Sequence, residues 1–172
     1  ALDANTTASY NTAVGHSALT ANTTGTQNTI VGKSAGAANT TGGYNVAMGT
    51  DTFSSNTEGA NNTAIGWQTM AGNTTGGENV AVGKGALDGD NNTAVGAGSL
   101  GVNTTGHSNT AVGKGAGDTI TTGISNTIIG LDAGDAMTSA GENCALGESA
   151  LGDVTTGSFN IGMGSGAGVY GV

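Results

Sequence analysis

The sequence is poor in residues on which most globular domains depend. Its 172 residues contain no proline, one cysteine, 3% aromatic side chains and 9% charged side chains. Ordinary domains carry about 25% charged residues, so this composition is not typical of an enzyme. The single cysteine, Cys144, excludes an internal disulfide framework and leaves the cellular compartment open.

Positive charge is scarce as well. Only Lys33, Lys84 and Lys114 oppose twelve acidic residues, and the net charge is −9. Because nucleic acids and anionic membranes attract basic surfaces, we expect neither as a partner. No apolar run reaches the roughly 18 residues that a membrane span needs, so we expect no membrane insertion. The chain opens at Ala1 without a signal-peptide pattern, which indicates a mature product or an excised segment.

Glycine, in contrast, is abundant, with 34 residues, and it belongs to a repeat. The motif Asn-Thr-Ala-Val-Gly, or a close variant, begins at Asn11, Asn28, Asn45, Asn62, Asn79, Asn92, Asn109, Asn126, Asn143 and Asn160. Eight of the nine intervals are 17 residues long and one is 13. Units this short cannot bury a core alone, so they must stack. The repeat predicts an all-β, parallel β-solenoid of about ten 17-residue coils. We expect one domain over residues 1–172, uncapped at both ends.

Within each repeat, counted from its Asn as position 1, the strand lies at positions 2 to 4. Position 4 is always apolar and position 2 is mostly β-branched. Side chains alternate along a strand, so we predict that both positions face the core and that position 3 faces outward. A continuous outward stripe of small apolar side chains is typical of a protein contact. We therefore predict a homotrimer interface made by Ala13, Ile30, Ala47, Ala64, Ala81, Ala94, Ala111, Ile128 and Ala145.

Three other features complete the coil. The invariant Asn at position 1 predicts a ladder of amide hydrogen bonds from coil to coil. Position 9 is a large apolar residue in six repeats, such as Leu19 and Phe53, and is expected to fill the core from the other side. The short repeat lacks four residues that correspond to the Asn-Thr-Thr-Gly segment at positions 12 to 15. That segment is therefore predicted to be a corner loop outside the stack.

Units such as Asn11–Gly15 and Asn62–Gly66 resemble the N-S-V-A-I-G head repeat of YadA-like trimeric autotransporter adhesins. The full N-T-A-V-G…A-L…N-T-T-G cadence is similar to repeat regions of phage tail-fibre proteins, particularly those that end in an intramolecular chaperone domain. The resemblance covers essentially the whole chain. It implies a left-handed parallel β-roll in which three chains pack side by side. This sequence departs from the adhesins in its longer period and in lacking a neck and a coiled-coil stalk.

Four aromatic residues are candidate binding residues. Tyr10, Tyr44 and Phe159 share position 17, and Trp67 stands at position 6. Exposed aromatic rings stack on sugars and often anchor partners, so these residues are possible contacts for a cell-surface glycan or receptor. Aromatic residues also cover corners without binding anything, and both interpretations stay open.

Catalytic and metal-binding patterns are missing. His16 and His107 lie at positions 6 and 16, five coils apart, and no nucleophile, base and acid share one corner. The Gly-Gly-x-Gly-x-Asp repeat of calcium-binding β-rolls does not occur. Asp88, Asp118 and Asp135 share position 10, but their spacing is too wide for one ion. We expect no enzyme activity, no cofactor and no metal.

The function that fits best is a structural, receptor-presenting segment of an extracellular trimeric fibre. One alternative is an ice-binding β-solenoid, because Thr recurs at position 13 in eight repeats and forms a ladder. A second alternative is a subunit of a self-assembling extracellular filament, because uncapped ends invite stacking.

Overall fold

The computed structural model describes residues 1–87 and 89–168, in which ten three-residue β-strands and no helix are found. The chain divides into two compact units, Ala1–Gly85 and Ala86–Val172. Asp88, one of the acidic residues weighed above, lies outside the described residues. The strands are β1 (Thr12–Val14), β2 (Thr29–Val31), β3 (Val46–Met48), β4 (Thr63–Ile65), β5 (Val80–Val82), β6 (Thr93–Val95), β7 (Thr110–Val112), β8 (Thr127–Ile129), β9 (Cys144–Leu146) and β10 (Ile161–Met163).

Each unit is a parallel β-solenoid. In the first unit β1 to β5 pair in sequence order, and every strand residue pairs with its equivalent 17 residues later, as Ala13 does with Ile30. In the second unit β6 to β10 pair in the same register. The predicted fold class, a parallel β-solenoid of 17-residue coils, is confirmed. The single domain over residues 1–172 stays a prediction.

The predicted ladder of asparagines at position 1 is present and buried. Asn45 accepts a hydrogen bond from the backbone N–H of Asn62 (3.0 Å) and donates one to the carbonyl of Gly59 (2.9 Å). Its own backbone N–H donates to the side-chain oxygen of Asn28 at 3.0 Å. Within each unit, neighbouring coils are thus joined through the side-chain amide at position 1, which is buried in all but the half-buried Asn11 and Asn160.

The assignment of the strand faces from sequence was wrong. Position 3 lies inside the coil, and positions 2 and 4 point outward. Position 1 is held inward by its hydrogen bonds, so strand alternation also turns position 3 inward. Its side chains therefore cannot form the predicted trimer interface. Of that set, Ala13 is half-buried, and the rest are fully buried: Ile30, Ala47, Ala64, Ala81, Ala94, Ala111, Ile128 and Ala145.

The side chain at position 3 is small in most coils because the side chain at position 9 packs against it from the opposite side of the coil. Leu19, Phe53 and Met70 are buried at position 9, as predicted. Where position 9 is glycine, a larger residue fills the space instead. A Cβ added to Gly36 would lie 3.4 Å from Ile30, which stands at position 3 of the same coil. The two positions share one core volume, which explains Ile at position 3 in the coils of Gly36 and Gly134, whereas in the coil of Gly117 the larger residue nearby is Ile120.

The Asn-Thr-Thr-Gly segment is part of the stack, contrary to the sequence prediction. Asn39 at position 12 is buried and donates to Asn22 (3.0 Å) and to the carbonyl of Gly42 (2.9 Å). A second asparagine ladder therefore runs through this corner in the first unit. In the short repeat, Gly89 lies against Asn103 and Gly106 as a position 15 glycine would. The repeat thus lacks positions 11 to 14 and keeps its closing glycine.

The glycine at position 5 marks the closest approach of neighbouring coils. Gly49 has φ 142°, and a Cβ there would lie 2.2 Å from the carbonyl oxygen of Gly66 in the next coil. Only glycine accepts both this conformation and this contact.

Candidate functional site

The outward side chains at positions 2 and 4, here called the strand face, are the main candidate site. All of them are exposed or half-buried, and position 4 is apolar in every coil. The strand face of the first unit consists of Thr12, Val14, Thr29, Val31, Val46, Met48, Thr63, Ile65, Val80 and Val82. That of the second unit consists of Thr93, Val95, Thr110, Val112, Thr127, Ile129, Cys144, Leu146, Ile161 and Met163.

Exposed apolar side chains concentrate on this face and on its two borders. The borders are position 17, just before the strand, and position 6, just after it. Among the described residues, every large exposed apolar side chain except Val102 and Ile124 lies at position 17, 2, 4 or 6. Val14 is 57% exposed and Ile65 is 39% exposed. An apolar surface this localised indicates a contact surface, since scattered apolar residues would be spread around the coil.

The regularity of the face comes from the parallel register. Thr93, Thr110 and Thr127 pair directly across β6, β7 and β8, and Val95, Val112 and Ile129 do the same beside them. Neighbouring strands lie about 4.8 Å apart, so equivalent groups repeat at that spacing along each unit. Two straight columns therefore run along each unit, one rich in hydroxyls and one apolar.

The two lysines of the first unit both lie on its position 6 border. His16, Lys33, Thr50, Trp67 and Lys84 occupy successive coils on this border, and all are exposed. The Lys84 ammonium lies 4.7 Å from the centre of the Trp67 ring, within the range of a cation–π contact. Among the described residues, neither lysine ammonium has a carboxylate oxygen within 4.0 Å.

The four aromatic residues predicted as binding residues are all exposed, at 85% for Tyr10 and 73% for Phe159. They do not form one cluster. Tyr10 and Tyr44 lie at position 17 of the first unit, two repeats apart, and Phe159 lies at position 17 of the second. Trp67 lies on the opposite border, past the corner glycine. The structure therefore offers separate aromatic positions, of which only Trp67 has a charged partner among the described residues.

The described residues hold no cluster of side chains that could bind a metal ion. No group of three or more His, Cys, Asp or Glu side chains is placed to bind a metal in residues 1–87 and 89–168. His16 and His107 belong to different units, and each ring forms a hydrogen bond with the hydroxyl of the neighbouring serine, Ser17 and Ser108 respectively. No helix within the described part of the chain could cross a membrane.

One acidic side chain is electrostatically perturbed. Burial raises the pKa of Asp118 above its usual value of 3.8, and the nearby carboxylates of Asp135 and Asp132 raise that pKa further. A raised pKa means that ionised Asp118 is less favourable in the folded state than in the unfolded chain. As the pH falls through the folded-state pKa of Asp118 towards 3.8, protonation removes this destabilisation, and the contribution of Asp118 to the free energy of unfolding rises.

The threonine ladder at position 13 uses its hydroxyls inside the protein. Thr23 donates to the carbonyl of Thr40 at 3.1 Å, and Thr104 donates to the carbonyl of Thr121 at 3.0 Å. These hydroxyl groups donate their protons to carbonyl groups of the next coil, so the protons are not free to bind ordered water. The ladder on which the ice-binding alternative was based is therefore a structural element of the coil.

No protein-family model matches this chain, and neither curated proteins nor solved structures give a match. The site must be interpreted from its own geometry. Sequence reasoning missed the strand face as a surface, because it placed positions 2 and 4 in the core. The sequence did contain a signal. Positions 1 and 3 lie on the same side of a strand, so the buried ladder predicted for the asparagine at position 1 also indicates that position 3 faces inward.

Proposed function

We propose that this protein is a structural, receptor-presenting segment of an extracellular fibre, in which chains associate through their strand faces. The association is a homotrimer, as the resemblance to adhesin heads and tail fibres implies. The position 3 stripe plays no part in it. The observation that carries the proposal is the apolar column at position 4, which is unbroken within each unit and whose side chains are all exposed or half-buried.

The size of the face supports an interface. Five strands spaced about 4.8 Å apart, with outward residues about 7 Å apart along each strand, give a strip of a few hundred Å² per unit once side-chain width is included. The largest apolar patch on a typical soluble monomer has a similar area, and such a patch is often a functional surface. Val, Ile and Met are suited to close packing because they present no unpaired polar groups.

An ice-binding β-solenoid is the second candidate, and the strand face is the surface that favours it. Thr93, Thr110 and Thr127 repeat at the strand spacing on an exposed surface. Position 4 varies from Val to Met, however, and Trp67 and the lysines project at one border. These differences in side-chain size disturb the flatness that an ice surface requires, and they are compatible with packing against another chain.

Native mass separates the two candidates. We expect the wild-type protein at micromolar concentration to give the mass of a trimer by light scattering. The Val31→Asp/Ile65→Asp variant is expected to give the mass of a monomer with unchanged far-UV circular dichroism, because both side chains lie on the strand face. The matched control Thr24→Asp changes an exposed residue at position 14 and should leave the trimer intact. A wild-type monomer that produces thermal hysteresis in freezing assays would overturn the fibre proposal in favour of ice binding.

A further inference from the structure

We propose that the exposed border around Trp67 and Lys84 is a binding site for an acidic saccharide. The inference deepens the receptor-presenting part of the proposed function, and it rests on that part alone. The indole of Trp67 is 47% exposed, and the Lys84 ammonium lies 4.7 Å from its centre. The ammonium therefore lies over one face of the indole, and both groups are exposed.

The backbone beneath the site is fixed. The N–H of Gly85 donates to the carbonyl of Trp67 at 3.1 Å, and the N–H of Gln68 donates to the carbonyl of Thr50 at 3.1 Å. The chain turns at Gly66, where φ is 137°, so Trp67 lies past the corner that follows Ile65 on the strand face. The backbone of the site is therefore preorganised, and the site lies on the position 6 border, next to the strand face through which the proposed trimer forms.

Open space lies beside the indole. Position 7 carries an exposed side chain in the coil of Trp67, that of Gln68, but is glycine in the next coil. A Cβ added to Gly85 would have no heavy atom within 4 Å. The missing side chain leaves the surface open beside Lys84, and the exposed Gln68 amide can supply both a hydrogen-bond donor and an acceptor.

The lysines on this border favour an acidic ligand. The first unit has two lysines against four acidic residues, a net charge of 2 − 4 = −2, whereas the whole chain carries −9. Both lysines lie on this border, and Lys33 stands two coils, or about 10 Å, from Trp67. Neither has a carboxylate partner among the described residues. A pyranose with a carboxylate fits this pair, because its carboxylate pairs with the Lys84 ammonium while its C–H face packs on the indole surface that the ammonium leaves exposed.

Intrinsic fluorescence tests the proposal directly, because Trp67 is the only tryptophan. The probes are N-acetylneuraminate and glucuronate, with glucose, acetate and polyglutamate as comparisons. We expect saturable fluorescence changes with the two acidic sugars and only weak changes with the other three. By calorimetry, Trp67→Ala and Lys84→Gln should each weaken binding by about tenfold or more. Gly85→Gln should also weaken binding, since Gln68 shows that glutamine accepts this backbone conformation at the same repeat position (φ 53°).

Lys114→Gln is the matched control, since Lys114 occupies position 6 of the second unit without an aromatic ring in contact, and its binding should equal wild type. Equal responses to acetate would show simple anion binding, and a Trp67-dependent response to polyglutamate would show a peptide site. Either result, or no response to any acidic sugar, overturns the proposal. Native mass measured on the same samples should be unchanged by all four substitutions. If the wild-type protein is a monomer that still binds acidic sugar, the proposed trimer is refuted and the proposed saccharide site is retained.

Discussion

Replacing Ala64 with aspartate is expected to prevent the first unit from folding stably. Ala64 has no exposed surface and lies between Ala47 and Ala81 in the column of position 3. An aspartate there has neither a partner for its charge nor room for its carboxylate. We expect the free energy of unfolding to fall by about 4 kcal/mol or more, as for other unpaired charges buried in a core. Thermal denaturation followed by far-UV circular dichroism measures the effect.

Ile65→Asp, one residue further along, is the matched control. Ile65 is on the strand face, where an aspartate carboxylate reaches water, so the isolated chain should keep its fold. Its expected defect is weaker self-association, which light scattering detects. If Ala64→Asp melted like wild type while Ile65→Asp unfolded, the inward and outward faces would be the reverse of those described here.

Asn45→Ala is expected to have the second largest effect. The substitution removes the donor to the Gly59 carbonyl and the acceptor for the Asn62 backbone N–H, and both of those groups are in the buried ladder. Each buried group left unpaired costs about 1–3 kcal/mol, so we expect a total loss of about 2–6 kcal/mol. Chemical denaturation of the purified variant gives this difference in stability.

The control for that variant is Asn61→Gly. Asn61 is exposed and has φ 60°, a conformation that glycine adopts without strain. The Asn61→Gly substitution also removes an asparagine amide, but it should change the free energy of unfolding only slightly. Equal destabilisation by the two substitutions would mean that the buried ladder does not stabilise the stack.

The sequence was sufficient to predict the strands and their stacking, because both follow from the repeat. The 17-residue period sets which residues lie above one another, and the invariant asparagine of position 1 sets a hydrogen-bonded ladder. Strand alternation fixed which positions share a face, but it did not say which face is inside. The choice was made on apolar size, and the larger residues Val14 and Ile65 proved to be outside.

A second clue lay in the relation between positions 3 and 9. Ile30 and Ile128 occur at position 3 in coils whose position 9 is glycine, Gly36 and Gly134. Such a compensation of volume shows that the two positions share a core, and it is visible only when both columns are compared. The role of the Asn-Thr-Thr-Gly corner was harder to predict. Its absence from one repeat suggested a loop, yet in the first unit the asparagines of this corner form a buried ladder at Asn22, Asn39, Asn56 and Asn73.

The thiol of Cys144 provides the most direct test of whether strand faces pack together. Cys144 is the only cysteine, and it lies half-buried on the strand face of the second unit, next to Thr127 and Ile161. The rate of its reaction with a water-soluble maleimide should fall as the protein concentration rises into the micromolar range. In the Val112→Asp/Ile129→Asp variant the rate should be at least about tenfold higher and independent of concentration, with the fold retained. A wild-type rate that equals that of the folded variant at every concentration would show that the strand face is open to water, and would contradict the fibre proposal.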